Sequence, residues 1–292
     1  MKLVEPAKTI EIIKENNFAF QKKYGQNFLI DGRVLEKIVD AAQVSSEDFI
    51  IEIGPGIGTL TQALCERGAK VLAIEIDKKL IPILEDNLKG YENIEIINDD
   101  VMKLDLNRLI EEKNENRPVK IVANLPYYIT TPIIMSLFEK NVPMISATLM
   151  VQKEVAQRMQ AGPGSKAYGA LSLSVQYYSV PEITANVPQN CFIPRPNVDS
   201  AIIRLNRRNE PPVRTDDEKL LFAVIRAAFC QRRKTLQNAL SNSAELSVSK
   251  EAAANAIEKA QLPPLVRGEA LRLEEFAALA NILAKEKTGI GV

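Results

Sequence analysis

The stretch at residues 50–61 constrains the fold of this chain more than any other part. It reads Ile-Ile-Glu-Ile-Gly-Pro-Gly-Ile-Gly-Thr-Leu-Thr, so an apolar run ends in three glycines at alternate positions and continues into a helical pattern. A second apolar run then leads to Glu75, twenty-one residues after Gly54. Glycines after a strand let a ligand approach the backbone, and an acid about 20 residues later suits a ribose diol. The sequence therefore predicts a nucleotide-like cofactor at the end of a strand.

Composition excludes several kinds of chemistry. The 292 residues contain no histidine, which excludes Ser-His and Cys-His catalysis and imidazole ligation of a metal. The three cysteines, at positions 65, 191 and 230, lack the paired spacing of a zinc site or a disulfide framework. No segment approaches the roughly 18 apolar residues of a membrane helix. We therefore expect a cytoplasmic monomer with no metal and no membrane partner.

Charge is distributed unevenly along a chain whose formal net charge is zero. Residues 51–116 include 14 acidic and 8 basic residues, a net charge of −6, whereas residues 195–240 include 10 basic and 5 acidic residues, a net charge of +5. The acidic region suits a cationic ligand such as a sulfonium, or is simply a solvated surface. The basic region suits a polyanion. The two regions are therefore predicted to bind different partners.

Apolar runs alternate with helical patterns through most of the chain, which predicts a doubly wound α/β sheet. The seven expected strands are residues 49–53, 70–76, 94–97, 119–123, 147–151, 183–187 and 198–205. A basic and aromatic leader precedes them, with Lys22 and Lys23 placed either against RNA or over the domain. After an Arg- and Pro-rich linker the pattern is wholly helical. We expect a leader at 1–25, a sheet domain at 26–208 and an all-helical C-terminal domain at 209–292.

The glycine turn is not that of a dehydrogenase, because Gly58 falls four residues after Gly54 instead of five. With Glu52 two residues before it, the turn resembles motif I of S-adenosylmethionine-dependent methyltransferases. Residues 26–29, Gln-Asn-Phe-Leu, resemble the motif that precedes it in the ribosomal RNA adenine dimethyltransferases. The resemblance implies S-adenosylmethionine as the cofactor. The residues it assigns to cofactor binding are Asn27, Leu29, Gly54, Gly56, Glu75, Asp100 and Asn124.

Residues 124–127 read Asn-Leu-Pro-Tyr at the predicted end of the fourth strand. The tetrapeptide resembles motif IV of amino-methyltransferases, in the form found in the ribosomal RNA adenine dimethyltransferases. Adenine N6 is a poor nucleophile because its lone pair is delocalised into the ring, so acceptors that draw on its N–H bonds favour transfer. The resemblance assigns these acceptors to the side-chain oxygen of Asn124 and the backbone carbonyl of Leu125. Asparagine takes up no proton at accessible pH, so we expect catalysis by positioning rather than by a general base.

Residues 191–200 carry a third motif, which resembles the family segment Phe-x-Pro-x-Pro-x-Val-Asp-Ser. In that family the aromatic residue faces the target base. The resemblance therefore implies a flipped adenine stacked between Tyr127 and Phe192. Because the nearby prolines fix the backbone, we expect the Phe192 ring to be presented rather than buried. A phenylalanine of the core is the alternative.

The pattern predicts a helix at 218–229 followed by a basic turn at 231–235, and the basic cluster in this region is the predicted RNA surface. Its members are Arg226, Arg232, Arg233 and Lys234. On a continuous helix, Arg226 and Arg233 are seven residues apart and share a face. Phosphate contacts position RNA without reading its sequence, so specificity has to come from the folded shape of the RNA. A merely solvated helix face is the alternative.

These motifs follow the family's order along nearly the whole chain, so the chain resembles the ribosomal RNA adenine N6-dimethyltransferases. The resemblance implies a seven-stranded Rossmann-like methyltransferase sheet with a helical RNA-recognition domain. It also implies dimethylation of N6 of two adjacent adenosines in the 3′-terminal hairpin of 16S rRNA in the assembling small ribosomal subunit. Tyr128 departs from the pattern, since many relatives have Asn there, which bears on the shape of the pocket.

Three alternatives compete with this interpretation. The 23S rRNA methyltransferases of macrolide resistance share the motifs, but they usually have Asn-Ile-Pro-Tyr and a shorter C-terminal domain. A non-catalytic RNA-binding assembly factor on the same fold is the second, and the intact motif residues argue against it. A nicotinamide dehydrogenase is the third, and the glycine spacing disfavours it.

Overall fold

A computed structural model describes residues 2–16, 18, 20–21 and 24–287, so Lys22 and Lys23 of the predicted leader lie outside the described residues. The strands are β1 Phe28–Leu29, β2 Phe49–Ile53, β3 Lys70–Glu75, β4 Ile94–Asn98, β5 Val119–Asn124, β6 Met144–Gln152, β7 Ser179–Val187, β8 Phe192–Ile193 and β9 Ser200–Arg207. The helices are α1 Pro6–Glu15, α2 Gly32–Ala42, α3 Thr59–Glu66, α4 Ile81–Asn87, α5 Leu106–Asn114, α6 Thr130–Glu139, α7 Lys153–Gln160, α8 Ala170–Tyr178, α9 Glu218–Cys230, α10 Leu236–Ser241, α11 Lys250–Lys259 and α12 Leu273–Lys287.

Seven strands form one sheet in the order β4-β3-β2-β5-β6-β9-β7, which confirms the predicted α/β fold. The five strands from β4 to β6 pair in parallel, and β9 pairs antiparallel with β6. The chain adds β3 and β4 on one side of β2 and then returns to add β5 and β6 on the other. Ligands of doubly wound sheets bind outside the carboxyl ends of strands at such a reversal. The topology therefore places a binding crevice at the ends of β2 and β5.

A second, two-stranded pairing lies outside this sheet. Strands β1 and β8 pair antiparallel, with Phe28 opposite Ile193 and Leu29 opposite Phe192. Each strand has two residues, too few for the period-2 pattern that identifies a strand in a sequence. The pairing nevertheless fixes where the side chains of both segments point.

Helix α2 shows how the sequence packs one face of the sheet. Its apolar residues recur at i, i+1, i+4 and i+5, so that one side of the helix is buried. They join an apolar cluster with side chains of α3, β2 and β8. Full burial of a side chain of this size contributes about 1.5 to 3 kcal/mol. The cluster therefore holds the ends of β1 and β8 firmly against the sheet.

The chain divides into two compact units: Met1–Ala156 with Val180–Arg207, and Gln157–Ser179 with Arg208–Val292. The first unit contains most of the sheet. In the second, α9 packs on α10 and α12, and α11 packs on the same two helices. The Tyr168 hydroxyl donates to the Leu271 carbonyl over 2.7 Å, which ties the 157–179 segment to the helices of its own unit. The helical second unit thus includes α8 as well as the C-terminal helices.

Two features are absent from the described residues, 2–16, 18, 20–21 and 24–287. No helix in these ranges is long and apolar enough to cross a membrane. No group of three or more His, Cys, Asp or Glu side chains there is arranged to hold a metal ion.

Candidate active site

A cavity opens at the carboxyl ends of β2, β3 and β5 in the first unit. It is lined by residues of the 26–29 motif, the glycine turn and the 124–127 motif, together with the ends of β3 and β4. The predicted residues among its lining are Asn27, Leu29, Gly54, Gly56, Glu75, Asp100, Asn124, Leu125 and Tyr127. The structure therefore brings together all the predicted cofactor residues and three of the four predicted catalytic ones.

The glycine turn forms the floor of this cavity. Gly54 has a φ of +72°, and a Cβ added to it would meet nothing within 4 Å, so the backbone there faces open space. Gly58 has a φ of +92°, and a Cβ added to it would lie 2.9 Å from Leu84 Cδ1. The first glycine thus leaves room for a ligand, whereas the third allows α3 to start close beneath α4.

Glu75 lies at the end of β3 with only 5% of its surface exposed. Its carboxylate accepts hydrogen bonds from the backbone N–H groups of Gly56, over 3.1 Å, and Asp77, over 2.8 Å. Burial is the main cause that raises the pKa of Glu75 to about 7, against the opposing effect of these hydrogen bonds. The carboxylate is therefore positioned by the glycine turn and is poised to titrate near neutral pH.

Glu52 is a second buried carboxyl of the cavity, and it has no role in the sequence interpretation beyond motif I. It is 1% exposed, and its Oε2 has no hydrogen-bond partner among the described residues. Burial, with a smaller contribution from Glu75, raises the pKa of Glu52 to about 8. A charged residue inside the apolar run Ile50–Ile53 was the available signal. A buried polar atom without a hydrogen-bond partner is costly in a folded protein, which marks Glu52 as a candidate ligand contact.

Asp100 follows β4 and lines the cavity beside Asp99. Its Oδ1 accepts from the backbone N–H of Met102 over 3.0 Å, and its own N–H donates to Asp99 Oδ1 over 2.7 Å. Asp99 is exposed and Asp100 is half-buried. The turn therefore holds the Asp100 carboxylate at the cavity, where its assignment to the adenine amine of the cofactor stays a prediction.

The segment before β1 is fastened to the end of β3 by Asp77. This carboxylate, 2% exposed, accepts from Gln21 Nε2 over 2.8 Å and from Gln26 Nε2 over 2.8 Å. The Asp77 backbone N–H donates in turn to Glu75. Sequence reasoning missed this contact, because residues 51 to 56 positions apart form it without any periodic pattern. It fixes Gln26 next to Asn27, which takes part in the site itself.

Asn124 ends β5 and is held by that segment. Its Nδ2 donates to the backbone carbonyl of Asn27 over 3.0 Å. Because the amide is planar, the Asn124 oxygen then points away from Asn27. The backbone N–H of Leu125 donates to Met150 over 3.1 Å, which continues the parallel pairing one residue beyond the strand. The two predicted acceptors therefore lie on a backbone that the sheet holds in place.

The Tyr127 ring is half-buried, and its hydroxyl lies 2.6 Å from the Ser200 Oγ at the start of β9. Burial raises the pKa of this phenol above its ordinary value. Ser200 is the last residue of the third motif. That motif therefore contributes to the site by anchoring Tyr127.

The expectation that the Phe192 ring is presented rather than buried is wrong, whereas its assignment to the target base stays a prediction. The ring is 3% exposed, belongs to the apolar cluster with Leu29 and Ile38, and does not line the cavity. The cause is the β1–β8 pairing, which sets Phe192 opposite Leu29 and turns it into the core. The prolines fix the backbone as expected, but this tertiary pairing decides the direction of the side chain.

The expectation of one helix face carrying the basic cluster is also wrong. Helix α9 ends at Cys230, and residues 231–234 form a turn closed by the Lys234 N–H and the Gln231 carbonyl over 2.8 Å. Arg226 pairs with Glu245. Arg232 donates to the carbonyls of Lys166, over 3.1 Å, and Tyr168, over 3.2 Å.

The turn separates Arg226 from the other three residues of the predicted cluster. Arg233 and Lys234 are exposed on it. The hydrogen bonds of Arg232 to the carbonyls of Lys166 and Tyr168 favour this turn over a longer helix. The RNA role of all four residues stays a prediction.

A model of the family described as ribosomal RNA adenine dimethylase matches residues 17–285. The ribosomal RNA small subunit methyltransferase A of Lachnoclostridium phytofermentans is 60% identical over 282 residues, which cover 96% of this chain and 97% of that protein.

Two solved structures are also similar to this chain. A dimethyladenosine transferase from Plasmodium falciparum has a TM-score of 0.71 at 28% identity and covers 90% of this chain and 98% of its own. The 23S rRNA methyltransferase ErmE has a TM-score of 0.66 at 26% identity and covers 88% and 100%. Both likenesses extend over most of the chain.

Proposed function

Because the chain belongs to the ribosomal RNA adenine dimethylase family, we propose that it transfers methyl groups from S-adenosylmethionine to N6 of adenine in 16S rRNA. The 60% identity to a small subunit methyltransferase A, over nearly the whole of both chains, supports this choice of RNA. The targets are two adjacent adenosines in the 3′-terminal hairpin of the assembling small subunit. Each receives two methyl groups.

The observation that carries this proposal is the orientation of the Asn124 amide. Its nitrogen is committed to the Asn27 carbonyl at 3.0 Å, so its oxygen is the atom left to accept from an amine. The amide lines the same cavity as the glycine turn and Glu75. An acceptor fixed in this way can hold an exocyclic amine next to a cofactor, and the Leu125 carbonyl supplies a second acceptor.

The cavity residues fit S-adenosylmethionine. Gly54 leaves open space beside the backbone, and the buried Glu52 Oε2 lacks a donor among the described residues. We assign the ribose hydroxyls to Glu75 and the adenine amine of the cofactor to Asp100. The acidic lining suits a ligand that carries a positive sulfonium charge. When bound, the cofactor supplies an electrophilic methyl group.

The chain's own residues act by holding the target amine. Asn124 and Leu125 accept the N6 hydrogens and favour a more tetrahedral nitrogen, and Tyr127 faces the base with its hydroxyl fixed on Ser200 at 2.6 Å. Neither acceptor removes a proton before transfer; the N–H proton that the methyl group replaces passes to solvent once the nitrogen is methylated. Positioning of this kind can supply roughly 7 to 11 kcal/mol of the barrier reduction. Chemistry at an exocyclic amine also requires the base to leave its stack.

The other candidate functions fit less well. A 23S rRNA methyltransferase is disfavoured, because this chain is 26% identical to ErmE and 60% identical to a small subunit methyltransferase A. A non-catalytic assembly factor would gain nothing from an oriented Asn124 amide in a cofactor cavity.

We assign RNA binding to the second unit, through the exposed Arg233 and Lys234. Arg226 and Arg232 take part by exchanging their intramolecular partners for phosphates. We propose that the protein works as a cytoplasmic monomer without a metal ion. The assembling small subunit, with its folded 16S rRNA, is the partner.

Two measurements test the proposed function. Mass mapping of 16S rRNA from cells lacking the protein is expected to show two unmodified adenosines in the 3′-terminal hairpin. Small-subunit particles from those cells should regain the methyl groups with wild-type protein and cofactor, whereas Asn124→Ala should slow single-turnover transfer by more than a hundredfold. Asn255→Ala, an exposed position of α11, is the matched control. Fully modified rRNA in the deletion strain would refute the assignment of this substrate.

A further inference from the structure

Tyr128 is a large aromatic side chain exposed at the mouth of the cavity. Its relative exposure is 56%, against 3% for Phe192. Tyr128 lines the same cavity as Asn124 and Tyr127, whereas Phe192 does not. Tyr128, which sequence reasoning did not assign to a base, is therefore the most exposed of these three aromatic side chains.

The backbone that carries Tyr128 is fixed. Residues 127–129 form a turn in which the Ile129 N–H donates to the Pro126 carbonyl over 3.2 Å. The Thr130 hydroxyl donates to the same carbonyl over 3.0 Å and secures the start of α6. An aromatic ring on a fixed turn loses little conformational entropy when a ligand contacts it.

One edge of the Tyr128 ring lies beside Gly25. A Cβ added to Gly25 would be 3.4 Å from Cδ1 and 3.8 Å from Cε1 of that ring. Gly25 has a φ of +57°, a conformation that favours glycine. The segment before β1 therefore supports this edge of the ring from the side.

Tyr127 and Tyr128 differ in how far they reach from the cavity. Tyr127 is half-buried and anchored through its hydroxyl, which suits the base whose N6 lies at Asn124. Tyr128 is one residue further out on the turn. When the target base is flipped into the cavity, the next nucleotide of the RNA strand lies at the cavity mouth. The base of that nucleotide has then lost the target base as its stacking partner.

We propose that Tyr128 stacks on the base adjacent to the target adenosine and so sets the register of the RNA strand at the cavity. The inference rests on the proposed function, because it places the target base at Asn124. Base–aromatic stacking requires a ring with an exposed face and no sequence-specific hydrogen bond. Stacking therefore suits this site, because each of the two adjacent adenosines has to lie at Tyr128 while the other is the target.

The test uses small-subunit particles in which one of the two adjacent adenosines is replaced by 2-aminopurine. This base has no N6 amine, so the remaining adenosine is the target and the fluorescent base is its neighbour. Wild-type protein is expected to quench the fluorescence on binding. Tyr128→Ala should abolish the quenching and raise KM for the particle roughly tenfold to a hundredfold, with kcat changed less than threefold. Tyr128→Phe should behave like wild type.

Controls and outcomes distinguish a failure of the Tyr128 inference from a failure of the proposed function. Ile145→Ala, at a 48% exposed position of β6, is the control for loss of an exposed apolar side chain and should change neither KM nor quenching. Cofactor affinity measured by calorimetry should be the same in all variants. Unchanged KM and quenching in Tyr128→Ala, with active wild-type protein, would overturn the role of Tyr128 alone. Absence of methylation by wild-type protein would instead overturn the proposed function.

Discussion

The raised pKa of Glu75 predicts that the affinity for the cofactor depends on pH near neutrality. Burial raises this pKa to about 7 in the free protein, and the carboxylate lies at the end of β3 where the ribose hydroxyls are assigned. Hydroxyl donors bind the ionised form more strongly, so binding is expected to release a proton near neutral pH. Affinity for S-adenosylmethionine should therefore rise as the pH rises through 7.

The magnitude follows from the titration. A group with a pKa of about 7 is roughly one-tenth ionised at pH 6 and nine-tenths ionised at pH 8, so the contribution of Glu75 to the association constant should grow roughly ninefold over that interval. Glu75→Gln keeps the shape but removes the charge. It should weaken binding at pH 8 by about 1.5 to 3 kcal/mol, the value of a hydrogen bond to a charged group.

Calorimetry at pH 6, 7 and 8 measures both effects, and the ratio of wild-type to variant affinity isolates Glu75 from the titration of the cofactor's own amine. Glu52 also has a raised pKa, of about 8, so Glu52→Gln is the control for its titration. This variant should retain the rise in cofactor affinity near pH 7. Glu85→Gln on the exposed side of α4 is the surface control. An affinity ratio between wild type and Glu75→Gln that stays constant from pH 6 to 8 would refute the reasoning.

Two further predictions concern the glycine turn and the basic turn. Gly58→Ala should lower the free energy of unfolding by about 2 to 4 kcal/mol in urea titrations, because it combines a positive φ with a Cβ that overlaps α4, whereas Gly54→Ala should cost about 1 to 2 kcal/mol from backbone strain alone. Equal losses in the two variants would contradict the packing argument. Replacing both Arg233 and Lys234 by Gln should reduce the slope of log affinity for RNA against log salt by about 1.4, at roughly 0.7 per contact, without a change in cofactor affinity. An unaltered slope would show that the basic turn does not touch RNA.

The sheet could be predicted from the sequence because its central strands are buried runs separated by amphipathic helices. The predicted strand at residues 49–53 coincides with β2, and the glycine turn follows it as expected. Once these strands are parallel, their carboxyl ends meet at one edge. Gly54, Glu75, Asp100 and Asn124 then converge on one cavity as a consequence of topology. Local pattern was sufficient here, because each residue's position depends on its own strand.

The direction of Phe192 could not be predicted in the same way. Its environment depends on a two-residue pairing with β1, in which its partner Leu29 lies 163 residues earlier in the chain, and a pair so short leaves no periodic signal. Here a distant contact overrides a reasonable local expectation. The end of α9 is different, because the sequence predicts a helix at 218–229 and a basic turn after it, and the turn is confirmed. Bonds from Arg232 to the carbonyls of Lys166 and Tyr168 hold that turn.

Asp77 shows what such contacts contribute to the site. Its carboxylate holds Gln21 and Gln26, the next residue is Asn27, and the Asn27 carbonyl orients the Asn124 amide. The Asp77 backbone N–H also donates to Glu75. The proposed ribose acceptor and the proposed N6 acceptor are therefore joined by hydrogen bonds and one peptide link, from Glu75 through Asp77, Gln26 and Asn27 to Asn124, a path that no single motif contains. Positioning requires such a chain, because an amide held at the wrong angle by a mobile segment would not keep its oxygen on the target amine.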